Sequence, residues 1–355
     1  MQSLSLCRQV CRHFGSASLM TRRAYMMKAI VLRETGGPEV MEYCEWKAPV
    51  LTRGHVIVAN EAVSVNFLDT YHRNGLYPLE LPTVLGREGA GRVLSMASDV
   101  TDLQVGDRVA YCMQSGSYAE QTLVDSNYIT RIPDHISFAD AAAIGINGLT
   151  AQYLASSTAK VDENTTVVIQ AVAGGTGLLL AQICKLKGAF VIGTTSNAKK
   201  TDIALSAGVD FVINYSDEDV PEAVREATGG KMVEIVYDSV GASTWEDSLQ
   251  CLKPRGLLVS YGNSSGAVPA ITPLQLMKHG SIYLTRPNLI DYMGNKKQLN
   301  ERMHDLFNCI SNGTLKMRIE KTLPLSAACE AHRMLEDRKT AGKLLLVPDY
   351  VVISP

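Results

Sequence analysis

The chain has 355 residues, 46% hydrophobic, 20% charged and 6% aromatic, which excludes disordered, collagen-like and disulfide-scaffold proteins and is long enough for two domains. Its 34 Lys and Arg residues nearly balance 36 Asp and Glu residues, so the net charge of −2 disfavours nucleic acid and anionic membranes as partners. No stretch of the sequence reaches the roughly 18 consecutive apolar residues of a membrane span, so membrane insertion is not expected.

The N-terminal segment differs in composition from the rest of the chain. Its first 33 residues contain no acidic residue and include Arg8, Arg12, Arg22 and Arg23 among hydroxyl and apolar side chains. This composition is typical of a mitochondrial transit peptide, although a disordered extension of a cytoplasmic protein is the alternative. Residues 1–26 are therefore set apart from the fold, and we expect a mitochondrial or cytoplasmic location.

The remaining chain divides into a β-rich part and a part with alternating helices and strands. From residue 27 to about residue 132, β-branched runs such as HVIVANEAVSV, from His55, are separated by Gly or Pro turns. After Pro133, helix-length segments alternate with apolar strands, which indicates βαβ units and a parallel sheet. A helix over 296–311 then precedes a last strand, helix and strand. We predict a β-rich domain over 27–149, a doubly wound domain over 150–294 and a return to the first domain over 295–355.

A glycine turn follows the first strand of the predicted parallel sheet. In VVIQAVAGGTGLLLAQ, Gly174, Gly175, Thr176 and Gly177 lie between a strand and a helix, and Val172 takes the place of the first glycine of G-x-G-x-x-G. Glycines let the backbone approach a pyrophosphate, and the helix N-terminus offers free N–H groups. The turn predicts a dinucleotide site, although a glycine turn between any strand and helix looks similar.

The end of the second strand indicates which dinucleotide is bound. An NAD site presents an acidic residue about 20 residues after the glycine turn. Here the chain reads Gly-Thr-Thr-Ser, ending at Thr195 and Ser196, and Lys199 and Lys200 follow. Uncharged donors and a lysine suit the 2′-phosphate of NADPH, whereas the alternative is a solvated helix start. NADPH is the predicted cofactor.

Several motifs in fixed order resemble one family. They are NFLDTYHRNGLYP (66–78), LGREGAG (85–91), VGDRVAY (105–111), VINY (212–215) and YDSVG (237–241). The chain resembles the quinone oxidoreductase, or zeta-crystallin-like, branch of the medium-chain dehydrogenase/reductase superfamily. The resemblance implies an α/β fold, with a GroES-like catalytic domain, a Rossmann domain with a doubly wound parallel sheet, and a cleft between them for cofactor and acceptor.

Zinc is not expected in this chain. Alcohol dehydrogenases of the superfamily use Cys and His ligands where this chain has Asn66 and Arg87, and the region after Cys112 is too short for their four-cysteine lobe. None of the eight cysteines forms a C-x-x-C pair. Without thiolate and imidazole ligands at metal spacing, we predict no metal site. Hydride transfer to a quinone, which needs no Lewis acid, is consistent with that prediction.

The resemblance also implies site residues. Asn66, Tyr71 and Tyr77 are the candidate catalytic residues, and either tyrosine hydroxyl could donate a hydrogen bond or proton to the acceptor, unless it only packs. The implied cofactor-binding residues surround the nicotinamide, the pyrophosphate and the adenosine phosphate in turn: Phe67, Leu68, Asp69, Thr70, Thr150, Gly174, Gly175, Thr176, Gly177, Thr195, Ser196, Lys200, Tyr215, Ser239, Tyr261, Gly262, Asn263, Arg286 and Arg338.

Three functions are compatible with the sequence. NADPH-dependent quinone reduction agrees best with the NFLDTY motif, and reduction of trans-2-enoyl thioesters or enones, which requires a proton donor, is the second. A non-enzymatic, NADPH-bound structural or RNA-associating protein is the third. The resemblance further implies a homodimer through the strand in SIYLTRP, at the edge of the Rossmann sheet.

Overall fold

The computed structural model describes residues 26–350. The predicted transit peptide lies outside these residues except for Met26, which begins the first strand. Two compact units form: the chain up to Arg131 joins Leu323–His332 and the chain from Leu346, whereas Ile132–Thr322 joins Arg333–Leu345. No helix in the described part of the chain is long and apolar enough to cross a membrane.

The first unit is built mainly from short strands. They are β1 (Met26–Leu32), β2 (Met41–Lys47), β3 (His55–Val65), β4 (Thr83–Val84), β5 (Glu88–Met96), β6 (Arg108–Cys112), β7 (Gln121–Asp125) and β8 (Ile129–Arg131). Strand β1 pairs with β2 and β4, β3 with β5 and β7, and β6 with β5 and β8, always antiparallel. Buried aliphatic side chains of β3, β5 and β6 form one core of this unit. The sequence did not predict helix α1 (Phe67–Arg73), which follows β3.

The second unit alternates helices and strands. In chain order they are α2 (Phe138–Tyr153), β9 (Thr166–Ile169), α3 (Gly175–Leu186), β10 (Phe190–Thr195), α4 (Ala198–Ser206), β11 (Phe211–Asn214), α5 (Val220–Ala227), β12 (Val233–Asp238), α6 (Trp245–Gln250), β13 (Leu252–Ser260), α7 (Pro273–Lys278), β14 (Tyr283–Thr285), α8 (Leu289–Met293) and α9 (Lys296–Ser311). Three further elements have residues in both units: β15 (Ile319–Pro324), α10 (Ala328–Glu336) and β16 (Lys343–Val347).

The six strands β9–β14 form one parallel sheet with the order β11-β10-β9-β12-β13-β14. The order reverses at β9, because β10 and β12 lie on opposite sides of it. Its strands are rich in buried apolar residues, and Val168, Ile192 and Val236 belong to one buried core. This is a doubly wound sheet, in which ligands bind outside the carboxyl ends near the reversal. The predicted α/β fold class is confirmed.

The compact units do not divide at the predicted boundaries. The predictions placed domain ends at 149 and 294, whereas the compact units change at 132 and 322. Helix α9 is held in the second unit because the Arg302 guanidinium donates hydrogen bonds to Gln152 Oε1 at 3.2 Å and Ser157 Oγ at 3.3 Å. Side-chain contacts of this kind are not visible in a periodicity pattern.

Candidate active site and dinucleotide site

Helix α1 is fixed at its start by two buried carboxylates. Asn66, just before the helix, donates from its side-chain Nδ2 to Glu88 Oε1 at 2.8 Å and from its backbone N–H to Asp69 Oδ2 at 2.8 Å. Asp69 and Glu88 are fully buried, and Asn66 is nearly so. The segment carrying the candidate catalytic residues is therefore rigidly positioned within the first unit.

Asp69 also belongs to a buried hydrogen-bond network that ties α1 to α10. Its Oδ2 accepts from the Tyr118 hydroxyl at 3.0 Å, that hydroxyl lies 3.1 Å from His332 Nε2, and His332 Nδ1 lies 3.0 Å from Arg73 Nη1. Burial and the neighbouring Arg73 lower the pKa of His332 to about 3, so the imidazole is neutral. Asp69 thus positions the helix, and the cofactor contact that the resemblance implied for this residue stays a prediction.

The two candidate tyrosines lie against each other. The rings of Tyr71 and Tyr77 pack edge to face at 5.3 Å, and the Tyr77 backbone N–H donates to the Tyr71 carbonyl at 3.0 Å. Tyr71 is buried and Tyr77 is partly exposed. Phe67 and Leu68 are also partly exposed at the start of α1, while Thr70 is buried and donates to the Phe67 carbonyl. The structure thus brings both tyrosines to one place in the first unit.

Arg87 lies next to Glu88 in the chain and is only partly exposed. Its Nη1 donates to the hydroxyl of the exposed Ser115, and burial lowers its pKa. Within residues 26–350, no group of three or more His, Cys, Asp and Glu side chains is arranged to hold a metal ion.

The predicted residues of the second unit are brought to the carboxyl ends of the parallel strands. The glycine turn follows β9, Ser196 follows β10, Tyr215 follows β11, Ser239 follows β12, Tyr261, Gly262 and Asn263 follow β13, and Arg286 follows β14. Parallel strands end at the same sheet edge, so one edge carries all these residues. Thr150, by contrast, lies on α2 and is buried.

The glycine turn has the close packing that a pyrophosphate site requires. A Cβ on Gly177 would lie 2.6 Å from the Val172 carbonyl oxygen, and one on Gly175 would lie 2.2 Å from Asn147 Nδ2. Helix α3 begins at Gly175, with Gly174 as its N-cap and Thr176 in its first turn. Only glycine fits at positions 175 and 177, and the first N–H groups of a helix lack partners within the helix and can bind an anion.

Val172 replaces the first glycine of the motif without blocking the turn. The left-handed conformation falls on the preceding residue, Ala171, with a φ of 52°. The Val172 side chain is buried against Gly193, where a Cβ would lie 2.5 Å from Val172 Cγ1. Gly193 on β10 thus leaves the room that the Val172 side chain needs.

Sequence reasoning did not identify the buried polar groups that hold the ends of the strands. The Gln170 side chain accepts from Thr194 Oγ1 at 2.7 Å and donates to Ser248 Oγ at 3.1 Å. Ser248 Oγ in turn donates to Asp238 Oδ2 at 2.8 Å. The polar residues at the ends of these strands could have indicated such a hydrogen-bond network. Their partners, however, lie far away in the sequence.

The predicted 2′-phosphate site contains Lys200 close to Arg338. Lys200 Nζ donates to the Arg338 carbonyl at 2.7 Å, and burial, with the Arg338 charge, lowers the pKa of Lys200. Ser196 is partly exposed and Tyr215 exposed. The Thr195 hydroxyl is buried and bonded to Thr201 Oγ1 at 2.9 Å, so its side chain is turned inward, and its cofactor contact stays a prediction.

The remaining predicted residues line the ends of β12, β13 and β14. A Cβ on Gly262 would lie 2.3 Å from the Ser239 carbonyl oxygen, so these two turns touch. Ser239, Tyr261 and Asn263 are partly exposed, and Arg286 is exposed. Tyr153 and Tyr292, which stack at 4.4 Å, form a feature of this unit that the sequence analysis missed.

Two family models match the chain. Residues 52–161 match the alcohol dehydrogenase GroES-like domain, and residues 175–308 match a domain described as zinc-binding dehydrogenase. The GroES-like and Rossmann assignments are thereby confirmed.

Individual relatives extend over nearly the whole chain. Quinone oxidoreductase 1 of Escherichia coli is 42% identical over 327 residues, which cover 91% of this chain and all of that protein. The 2-haloacrylate reductase of a Burkholderia species is 39% identical over 331 residues, 91% of this chain and 99% of that protein. The structure of E. coli quinone oxidoreductase complexed with NADPH matches with a TM-score of 0.89, 42% identity, and coverage of 90% of this chain and all of that one.

Proposed function

Because the chain belongs to the quinone oxidoreductase family of the medium-chain dehydrogenases and reductases, we propose that it is an NADPH-dependent quinone oxidoreductase. Full-length similarity to a curated quinone oxidoreductase, at 42% identity, is the observation that carries this proposal. The substrate is a small molecule, and the reaction is hydride transfer to a quinone-type acceptor.

The residues of the second unit fit NADPH. When bound, this cofactor supplies the hydride, and the protein aligns it with the acceptor and keeps water out. The tightly packed glycine turn at Gly175 and Gly177, at the N-terminus of α3, suits a pyrophosphate. Lys200 lies shortly after the end of β10 and has a positively charged side chain, which favours a 2′-phosphate. An acidic residue at the end of this strand, as in an NAD site, would repel that phosphate.

We also propose that hydride transfer proceeds without zinc. The residues at the two ligand positions are an amide engaged by Glu88 and a guanidinium, which has no lone pair to offer a metal. A quinone needs no Lewis acid to accept a hydride, and its reduced form takes protons from water. Asn66 then serves to orient the segment with Tyr71 and Tyr77.

Reduction of an activated alkene is the second candidate. The Burkholderia relative is named as a 2-haloacrylate reductase, so a related fold reduces a carbon–carbon double bond. That reaction requires a proton at carbon, and the partly exposed Tyr77 is the best placed of the two tyrosines to supply it.

The proposed assembly is a homodimer. Strand β14 lies at the edge of the parallel sheet, and Tyr283, at its start, is 61% exposed. A second copy pairing with this edge would continue the sheet and cover the tyrosine.

Mitochondrial import of the full chain is proposed on the composition of its first 33 residues.

The function is tested by comparing NADPH and NADH oxidation by the purified full chain with an ortho-quinone and with a medium-chain trans-2-enoyl thioester. Faster quinone turnover with NADPH supports the proposal. Preferential turnover of the thioester would make the protein an enoyl reductase. NADPH binding without turnover of either acceptor would contradict both and favour a non-enzymatic role.

A further inference from the structure

Arg87 is a partly buried cation for which no close ion pair is found among residues 26–350. Its guanidinium makes one hydrogen bond, from Nη1 to Ser115 Oγ, and its Nε is buried without a hydrogen-bond partner among the described residues. No Asp or Glu within 26–350 lies within ion-pair distance of it. Withdrawing a charge from water is costly unless an opposite charge or hydrogen-bond acceptors replace the water.

The nearby acids are occupied elsewhere. The charge of Asp69 acts on Arg87, but its Oδ2 accepts from the Asn66 backbone and the Tyr118 hydroxyl. Glu88 accepts from Asn66 Nδ2 at 2.8 Å. Both carboxylates are fully buried within the first unit, whereas Ser115, which Arg87 contacts, is exposed. The guanidinium is therefore partly exposed and contacts an exposed side chain.

Arg87 is linked to the segment with the candidate catalytic tyrosines through Glu88 and His72. Its chain neighbour Glu88 holds Asn66, and its charge lowers the pKa of His72, whose ring packs against Tyr77 at 6.0 Å. His72 Nδ1 donates to the Tyr77 carbonyl at 3.2 Å. This hydrogen bond leaves a lone pair, not a proton, on Nε2 of the neutral ring, so His72 does not duplicate the cationic role of Arg87.

We propose that Arg87 binds a negatively charged group of the electron acceptor, so that the protein prefers acceptors with a carboxylate or sulfonate. A guanidinium presents several N–H donors in one plane, which matches the oxygens of such a group. The anion then lies in the same part of the first unit as His72 and Tyr77, whose rings pack against each other. This inference rests on the proposed function and names the class of acceptor for the same site.

The experiment compares ortho-naphthoquinone with its sulfonate in the full chain and in two variants, Arg87→Gln and Arg87→Lys. The readout is the ratio of kcat/KM for the sulfonate to kcat/KM for the uncharged quinone. In Arg87→Gln this ratio should fall about 10- to 100-fold, the range for losing a hydrogen bond to a charged group. The loss should lie mainly in KM, and Arg87→Lys should restore part of it.

Arg92→Gln is the matched control, because Arg92 is an exposed arginine on β5, the strand that begins just after Arg87, and pairs with Glu61 at 4.0 Å. This variant should leave the ratio unchanged. Equal losses with both quinones in Arg87→Gln would overturn the inference in favour of a structural role. An unchanged ratio in Arg87→Gln would overturn it as well.

A calorimetric titration separates this inference from the proposed function. The probes are naphthoate and its uncharged amide, added to the full chain and to Arg87→Gln. Tighter binding of naphthoate that is lost in Arg87→Gln supports the anion site even if no quinone is reduced. Equal binding of both probes to the full chain would refute the site, whatever the turnover.

Discussion

His332 Nε2 donates a hydrogen bond to the Tyr118 hydroxyl at 3.1 Å, and the neighbouring groups fix this direction. Tyr118 gives its single proton to the Asp69 carboxylate, so its oxygen can only accept from His332. His332 Nδ1 then accepts from Arg73. The chain of hydrogen bonds runs from a guanidinium to a carboxylate through a neutral imidazole, and it positions α1 with its candidate catalytic residues.

Tyr118→Phe and His332→Leu should each destabilise the protein by about 2 kcal/mol, because each leaves buried polar groups without partners. Their effects should not add, since the two side chains share one hydrogen bond. Urea unfolding of both single variants and the double variant measures this coupling. Strict additivity would show that the two residues act independently.

Stability should depend on pH through His332. Its pKa is about 3 in the folded protein and about 6.5 when unfolded, so between these values only the unfolded chain binds the proton. The contribution of His332 to the free energy of unfolding is therefore fully present above pH 6.5. It is lost as the pH falls below that value, by about 1.4 kcal/mol per pH unit. Urea unfolding between pH 7 and pH 4 should show a steeper decline for the wild-type chain than for His332→Leu. Parallel declines would contradict the buried neutral histidine.

Lys200→Ala should reduce the preference for NADPH over NADH about 10- to 100-fold, because a charged contact with the 2′-phosphate is lost. Lys199→Ala is the control, since Lys199 is exposed and its Nζ lies 3.7 Å from Glu320. Steady-state KM values for both cofactors give the ratio. A similar change in the two variants would indicate general electrostatics and not a contact made by Lys200.

Gly177→Ala should destabilise the protein by about 1 to 3 kcal/mol, because backbone that cannot move easily surrounds the added methyl group. Gly174→Ala should cost less, since the nearest atom to its Cβ, the Ala171 carbonyl oxygen, is 3.2 Å away. Thermal or urea unfolding without cofactor compares the two. Equal stability would mean that the turn relaxes around Gly177.

Tyr77→Phe should lower turnover of an enoyl thioester about 100-fold if its hydroxyl is the proton donor. Quinone reduction should fall much less, because the reduced quinone takes protons from water. Tyr71→Phe removes the hydroxyl of the buried partner in the same ring pair, so it shows whether Tyr71 is the proton donor instead. Equal losses with both acceptors in Tyr77→Phe would assign Tyr77 to packing.

Local patterns in the sequence were sufficient for the fold class and most elements. Continuous apolar runs and helix-length segments predicted the parallel sheet, and the predicted helix over 296–311 coincides with α9. The glycine turn was recognised at its place after β9, because strand, glycines and helix are adjacent in the chain. Helix α1 was missed, since only seven residues form it and buried contacts stabilise it.

Only the tertiary structure decided which polar side chains are turned inward. Asp69 and Thr195, both predicted cofactor-binding residues, have buried side chains that bond to Tyr118 and Thr201 inside the protein. His332 meets Tyr118 across 214 residues, and Gln170 meets Ser248 across 78 residues. The physical reason is that hydrophobic periodicity is a local property of the chain, whereas satisfying a buried polar group depends on residues that only folding brings together.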